Sequence, residues 1–169
     1  FGLAKASIVR KIHKGLTMFQ VDRITALVTD WSIEGQSLGL WQKHCACKGP
    51  ITIVCCRGGW KIVFMSSRFN NDAQSRYSPI EGECLTLYWA INKADYFLYG
   101  CDKLYVGTDH KPLLAFFRKV DPKPLDHIVN KRLRKYVSEI GELRFSIFHI
   151  PGADNFLSDR GSRFPTGKA

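Results

Sequence analysis

Four acidic residues, Asp30, Glu83, Asp109 and Asp159, are spread along a chain of 169 residues and are of the type that could do chemistry together. Two of them close apolar runs: Asp30 follows Thr25-Ala26-Leu27-Val28-Thr29, and Asp109 follows the run from Lys103 to Thr108. A short apolar run without helical period suits a strand buried on both faces, and in open α/β sheets reactive groups collect at the carboxyl ends of strands. Taken alone, Asp30 reads as a cap or turn residue before Trp31-Ser32. Its repetition at Asp109 weakens that reading. Hard carboxylate oxygens suit magnesium, which takes its remaining ligands from water and substrate phosphate. Two such ions about 3.5–4 Å apart can activate a water and stabilise the leaving oxygen of an in-line displacement, and four acids suffice to hold the pair. No serine or cysteine nucleophile with a paired base is evident, so metal-assisted phosphodiester hydrolysis fits better than acyl chemistry.

A second group is soft rather than hard. Cys45, Cys47, Cys55 and Cys56, with His44 beside them, lie between two predicted strands. Such thiolates could bind zinc as Cys45-x-Cys47 with Cys55-Cys56. Against this, neither pair has the usual two-residue gap, and adjacent cysteines are awkward neighbours at one tetrahedral site. The alternative is a set of reduced surface thiols in a hairpin.

The elements that must position these groups follow from periodicity. After Asp30, Ser32 to Gly35 is a turn. Leu38 to Gln42 and Ile51 to Cys55 read as strands, with Arg57-Gly58-Gly59 turning into a further strand, Trp60 to Ser66, in an antiparallel meander. Ser78-Pro79-Ile80-Glu81 is a capping box with proline at the first helical position, opening a helix that Gly100 ends. On that helix Glu83, Leu87, Ala90, Ile91, Ala94 and Leu98 form one stripe, apolar except for Glu83. The stripe should face the sheet. Glu83 then points at the sheet and Glu81 caps the helix, although Glu83 also reads as an exposed acid favoured by the helix dipole. Strand, helix and the strand at Lys103 to Thr108 make a βαβ unit, which sets the two Asp-ended strands parallel. A short helix from Lys111 to Phe117, a Pro-rich linker at Asp121 to Pro124, a helix over 125–140 and a last strand from Leu143 to Ile150 complete the reading. Residues 1–16 read as a basic amphipathic helix.

The charge balance is +10, with a pI near 9.5. That excess favours a polyanionic partner, nucleic acid first and a membrane surface second. Lys131, Arg132, Arg134 and Lys135 cluster on one predicted helix as a candidate phosphate-contacting face, with a merely solvated face as the alternative. Six cysteines in a basic domain point to free thiols or metal rather than a disulfide framework. The first residue is Phe1 rather than Met, so the chain is read as a piece of a longer polypeptide.

Five ordered blocks carry a resemblance: Leu27-Val28-Thr29-Asp30-Trp31-Ser32, Ser67-Arg68-Phe69, Tyr77-Ser78-Pro79-Ile80-Glu81-Gly82-Glu83, Thr108-Asp109-His110-Lys111-Pro112-Leu113 and Pro151-Gly152-Ala153-Asp154-Asn155. Together they resemble the ribonuclease H domain of reverse transcriptases, most of all those of gypsy-type LTR retrotransposon polyproteins. The resemblance implies an α/β fold with a five-stranded mixed sheet flanked by helices, and cleavage of the RNA strand of RNA/DNA hybrids. It implies that Asp30 bridges two Mg²⁺ ions (Mn²⁺ substituting), that Glu83 and Asp109 complete one metal site, and that Asp159, favoured over Asp154 by the family's spacing from Asn155, completes the other. Ser32 and Asn155 join the basic cluster as candidate nucleic-acid contacts. By the same resemblance residues 1–22 end an upstream connection region, 23–163 form the ribonuclease H domain and 164–169 are a tail. The expected partners are the hybrid and the polymerase and connection domains of the same polyprotein, with no membrane. The expected location is the cytoplasm, in the element's particle, or the nucleus.

One departure is local. The family has Ala-Asp-Ala-Leu-Ser-Arg near the end, where this chain reads Ser158-Asp159-Arg160-Gly161-Ser162-Arg163, so a glycine and an extra cation would loosen or re-aim the helix carrying Asp159. Transposases and integrases with a D…D…E order and exonucleases whose first two acids are one residue apart fit the spacing poorly. The serious alternative is a catalytically inactive or host-adopted module that binds nucleic acid.

Overall fold

The computed structural model describes residues 16–117, 128 and 130–166. The helix predicted over 1–16 and the linker at Asp121 to Pro124 lie outside the described residues, apart from Leu16. Strands β1 (Thr25–Trp31), β2 (Gly35–Lys43) and β3 (Trp60–Phe69) are followed by helix α1 (Pro79–Leu98), β4 (Leu104–Thr108) and α2 (Lys111–Phe117). Then come α3 (Lys131–Gly141), β5 (Ser146–His149) and α4 (Phe156–Arg163). The sheet runs in the order β3-β2-β1-β4-β5, antiparallel among the first three strands and parallel from β1 through β4 to β5. This is the five-stranded mixed sheet flanked by helices expected of a ribonuclease H-like α/β fold.

Thr25 to Val28 pair in register with Leu104 to Gly107. Asp30 and Asp109 each lie two residues beyond the pair Val28 and Gly107, so they leave the sheet side by side. Alternation along β1 divides its side chains between two layers. Leu27 joins the main core with Leu38, Leu40, Leu87, Ala90, Ala94, Leu98 and Val106, which is the layer α1 fills. Val28 borders Leu157 and Ser158 of α4 instead. Asp30, two residues on, is therefore on the α4 side. Leu85, which lies off the predicted sheet-facing stripe of α1, is also buried.

Buried polar groups of β2 are paired, as burial requires. Gln36 accepts from the Arg68 guanidinium and donates to Asn70 at 2.7 Å, and Gln42 donates to the Gln20 carbonyl and to Thr25 Oγ1. Residues 16–20, read as connection, are laid on this sheet. Leu16 bridges Ile62 of β3, the Thr17 N–H donates to the Ile62 carbonyl at 3.0 Å, and Phe19 meets Phe97 edge-on. Within β3 the register shifts so that Val63 is the extra residue against β2.

Three boundaries need correction. Ile51 to Cys55 is not a strand but a succession of turns and bends, so the meander has three strands where the pattern predicted four. The run Ile51-Thr52-Ile53-Val54 has strand-forming residue types but joins no strand ladder among the described residues. The helix predicted over 125–140 begins at Lys131, because the Asn130 side chain accepts from the N–H groups of Arg132 and Leu133 and so caps it. The last strand is confined to Ser146–His149.

Candidate active site

Three of the four predicted acids converge. One carboxylate oxygen from each of Asp30, Glu83 and Asp109 lies within 4.8 Å of the others. Asp30 and Asp109 come from the adjacent ends of β1 and β4. Glu83 comes from the second turn of α1, on the stripe that faces the sheet. Asp30 and Glu83 are each only 5% exposed, and Asp109 is half-buried.

Such a cluster opposes its own ionisation. Burial, followed by the charges of Asp30 and Asp109, pushes Glu83 well above the usual carboxylate range, against a weak N–H donation from Trp31 at 3.4 Å. Burial is also the main reason that Asp30 rises to about 7, with Asp109 and Asp159 adding to the rise. The Ser162 hydroxyl, donating to Asp30 Oδ2, and the Arg163 charge act the other way. Glu83 Oε2 is buried and has no hydrogen-bond partner among the described residues. An orphaned oxygen between two further carboxylates fits a hard divalent cation, which would supply both the missing partner and the missing positive charge.

Glu81 is occupied elsewhere. Its Oε2 accepts from the Ser78 N–H at 3.1 Å and from the Ser78 hydroxyl at 2.7 Å, while Oε1 accepts from Asn130 and Arg132 at the start of α3. The Ser78 hydroxyl is the largest of the influences that hold its pKa below the usual value. Glu81→Gln is therefore expected to cost about 1 kcal/mol or less of thermal stability and to leave the three-acid cluster intact, as a melt and a metal titration would show.

Asp159 is next to the cluster rather than in it. It lies in the first turn of α4, close enough to raise Asp30, but its Oδ1 pairs with Arg163 Nε at 2.7 Å. Within the departure at Ser158 to Arg163, both Gly161 and Ser162 lie against the sheet. Gly161 lets α4 approach β2 closely, since a Cβ there would stand 2.7 Å from Ser37 Cβ, and Ser37 donates to the Ser158 carbonyl. Ser162 both holds Asp30 and donates to the Asp159 carbonyl at 2.9 Å. No local pattern in the sequence signals this role, because the contact spans 132 residues. The His110 imidazole, beside Asp109, is also unassigned by pattern. Burial lowers its pKa although Asp109 acts to raise it, and its Nε2 has no partner among the described residues.

The candidate nucleic-acid contacts fare unevenly. Lys131, Arg132, Arg134 and Lys135 are all exposed on α3. Arg132 also lies over the Tyr77 ring, Arg134 donates to the Ile128 carbonyl, and Lys135 is 3.8 Å from Glu139. Ser32 is half-buried and donates to the Ser162 carbonyl at 2.8 Å. Asn155 is 2% exposed, in a cavity shared with Val28, Trp41, Ile53 and Val54, and its side-chain amide has no hydrogen-bond partner among the described residues. Cys45, Cys47, Cys55 and Cys56 do come together, near the base of the β2–β3 connection.

The profile of the RNase H-like domain found in reverse transcriptase matches residues 20–142. The Pol polyproteins of the Drosophila melanogaster transposons gypsy and opus are 31% and 29% identical to this chain over 60% and 59% of its length. The matched region is 9% of each of those polyproteins. Among solved structures, a foamy viral protease-reverse transcriptase in complex with double-stranded DNA superposes with a TM-score of 0.58 at 13% identity, covering 86% of this chain and 24% of that one. The N-terminal RNase H domain of a Mycobacterium tuberculosis protein gives 0.52 at 13% identity, over 82% of this chain and 90% of that one. No described helix is long and apolar enough to cross a membrane.

Proposed function

This chain belongs to the RNase H-like domain family found in reverse transcriptases, and from that premise we propose that it hydrolyses the RNA strand of RNA/DNA hybrids as part of a retrotransposon Pol polyprotein. One observation carries the reading: Asp30, Glu83 and Asp109 meet within 4.8 Å at the carboxyl ends of two parallel strands, with a buried Glu83 oxygen left unpartnered. Asp30, Glu83 and Asp109 would hold one Mg²⁺, and Asp159 with Asp30 a second. The chemistry that two such ions supply when bound is activation of a water and stabilisation of the leaving 3′ oxygen.

The chain's own residues prepare the site. Trp31 and Ser162 orient the Glu83 and Asp30 carboxylates. Arg163 holds Asp159 aside through an exposed i,i+4 pair that solvent screens, so Asp159 can turn toward Asp30 at small cost. The net charge of +10 favours a polyphosphate backbone, with affinity falling as salt rises. In this reading the domain works beside an upstream polymerase domain in a cytoplasmic particle.

The test is a hybrid labelled on each strand in turn, incubated with and without Mg²⁺. Metal-dependent cutting of the RNA strand alone is the expected result. Hybrid binding without cutting, even with Mn²⁺ and in a longer chain that includes the polymerase domain, would replace this reading with that of a binding module.

A further inference from the structure

We propose that Cys45, Cys47, Cys55 and Cys56 form a tetrathiolate zinc site that closes the connection between β2 and β3. Their four sulfurs lie within 4.8 Å of one another, and all four are free thiols. Sulfurs bound tetrahedrally at about 2.3 Å from zinc stand about 3.8 Å apart, so the cluster needs only a small contraction to enclose the ion. The Cys45 and Cys55 sulfurs are 3.4 Å apart, near that spacing and far from the length of a disulfide.

The absence of a strand at Ile51 to Cys55 is what makes this convergence attainable. In a strand the side chains of Cys55 and Cys56 would leave on opposite faces. Here the chain turns through Ile53 to Gly58, and both sulfurs reach the same centre. The base of the loop is tied by the His44 N–H, which donates to the Gly59 carbonyl at 2.7 Å. Gly59 itself is packed beneath the sulfurs: a Cβ there would lie 2.5 Å from Cys56 Sγ and 2.9 Å from Cys45 Sγ.

Charge and topology point the same way. Four thiolates around zinc carry a net −2, and cations surround the loop. Lys43 donates to the Cys47 carbonyl, Arg23 and Lys61 bring positive charge to His44, and Lys48 and Arg57 lie within the loop. Connections of this length without secondary structure are uncommon in compact domains unless something fixes them. Its apolar tip, Ile53 and Val54, borders the cavity that reaches Asn155 and Leu157 at the start of α4. Fixing the loop therefore bears on the helix that carries Asp159. The site is separate from the carboxylate cluster, so it stands or falls independently of the nuclease reading.

The test uses the whole chain, reduced, loaded with zinc and freed of excess. Elemental analysis is expected to find one zinc per chain. Substitution by Co²⁺ is expected to give the visible absorption of a tetrahedral thiolate complex. Cys45→Ser and Cys55→Ser should lose the metal, whereas Cys101→Ser should keep it. Gly59→Ala, which removes no ligand, should weaken zinc binding by about tenfold or more. The proposal is overturned if folded parent protein takes up no zinc or cobalt while its thiols stay freely reactive. It is equally overturned if the cysteines pair as disulfides, or if the metal found is iron with its charge-transfer colour.

Discussion

The Asp109→Asn protein is expected to bind an RNA/DNA hybrid as tightly as the parent, or more tightly, and to cut it at least about a hundredfold more slowly. Asp109 is the acid best suited to separating chemistry from folding. It is half-buried at the end of β4, whereas Asp30 and Glu83 are almost fully enclosed. Asparagine keeps the shape, removes one anionic metal ligand and removes one negative charge from the path of the phosphate backbone. Loss of the ligand impairs the chemical step, while loss of the charge eases binding. Anisotropy with a labelled hybrid, run beside a cleavage time course in Mg²⁺, reads the two effects separately. Undiminished cleavage would remove Asp109 from the site.

The second large effect concerns stability without metal. Glu83→Gln is expected to raise the melting temperature of metal-free protein near neutral pH, and to abolish the further rise that Mg²⁺ gives the parent. Asp30 and Glu83 both have folded pKa values above their ordinary values of 3.8 and 4.5, chiefly because they are buried, with Asp109 adding to both rises, Asp159 to that of Asp30 and Asp30 to that of Glu83. A raised carboxyl pKa contributes stability that is fully present below the ordinary value and is lost as pH rises through the folded value. For Asp30 that window runs from about 4 to about 7. The loss is on the order of a few kcal/mol, and at this chain length each kcal/mol moves the melting temperature by about 2–4 °C. Glutamine at position 83 still accepts from the Trp31 N–H but cannot be charged. Melts in chelator at about pH 5 and about pH 8 should show the variant's advantage growing with pH. A variant that melts below the parent at both values would mean that the carboxylates are held by something other than a missing cation.

The two acids at strand ends were legible because local residue types decide strand, turn and parallel pairing, and register then aligns the ends. Glu83 was legible for a finer reason: the capping box assigns Glu81 to Ser78, and helical phase sends its neighbour two residues on toward the sheet. The Ile51 to Cys55 segment misled because β-branched residues carry strand propensity whether or not a partner edge is free, and Trp60–Phe69 takes the edge of β2. Ser162 lay beyond any local reading, since its partner Asp30 is reached only once α4 docks on β2. Asn155 shows a different limit. A residue placed well by spacing is turned inward by packing that spacing does not encode.

The tie between Leu16-Thr17 and Ile62 has a consequence for solubility. β3 is the outer strand of the described sheet, and its segment Trp60-Lys61-Ile62-Val63-Phe64-Met65 has one charge, no proline and no glycine. Such a hexapeptide on an open edge is a template for intermolecular strand addition. Leu16 and Thr17 occupy part of that edge, and the extra residue at Val63 breaks the regular spacing that an incoming strand would match. A version of the domain cut at residue 23 would expose the Ile62 carbonyl and the row beside it. Self-association of that shortened chain would then be a property of the cut, not of the ribonuclease H-like fold.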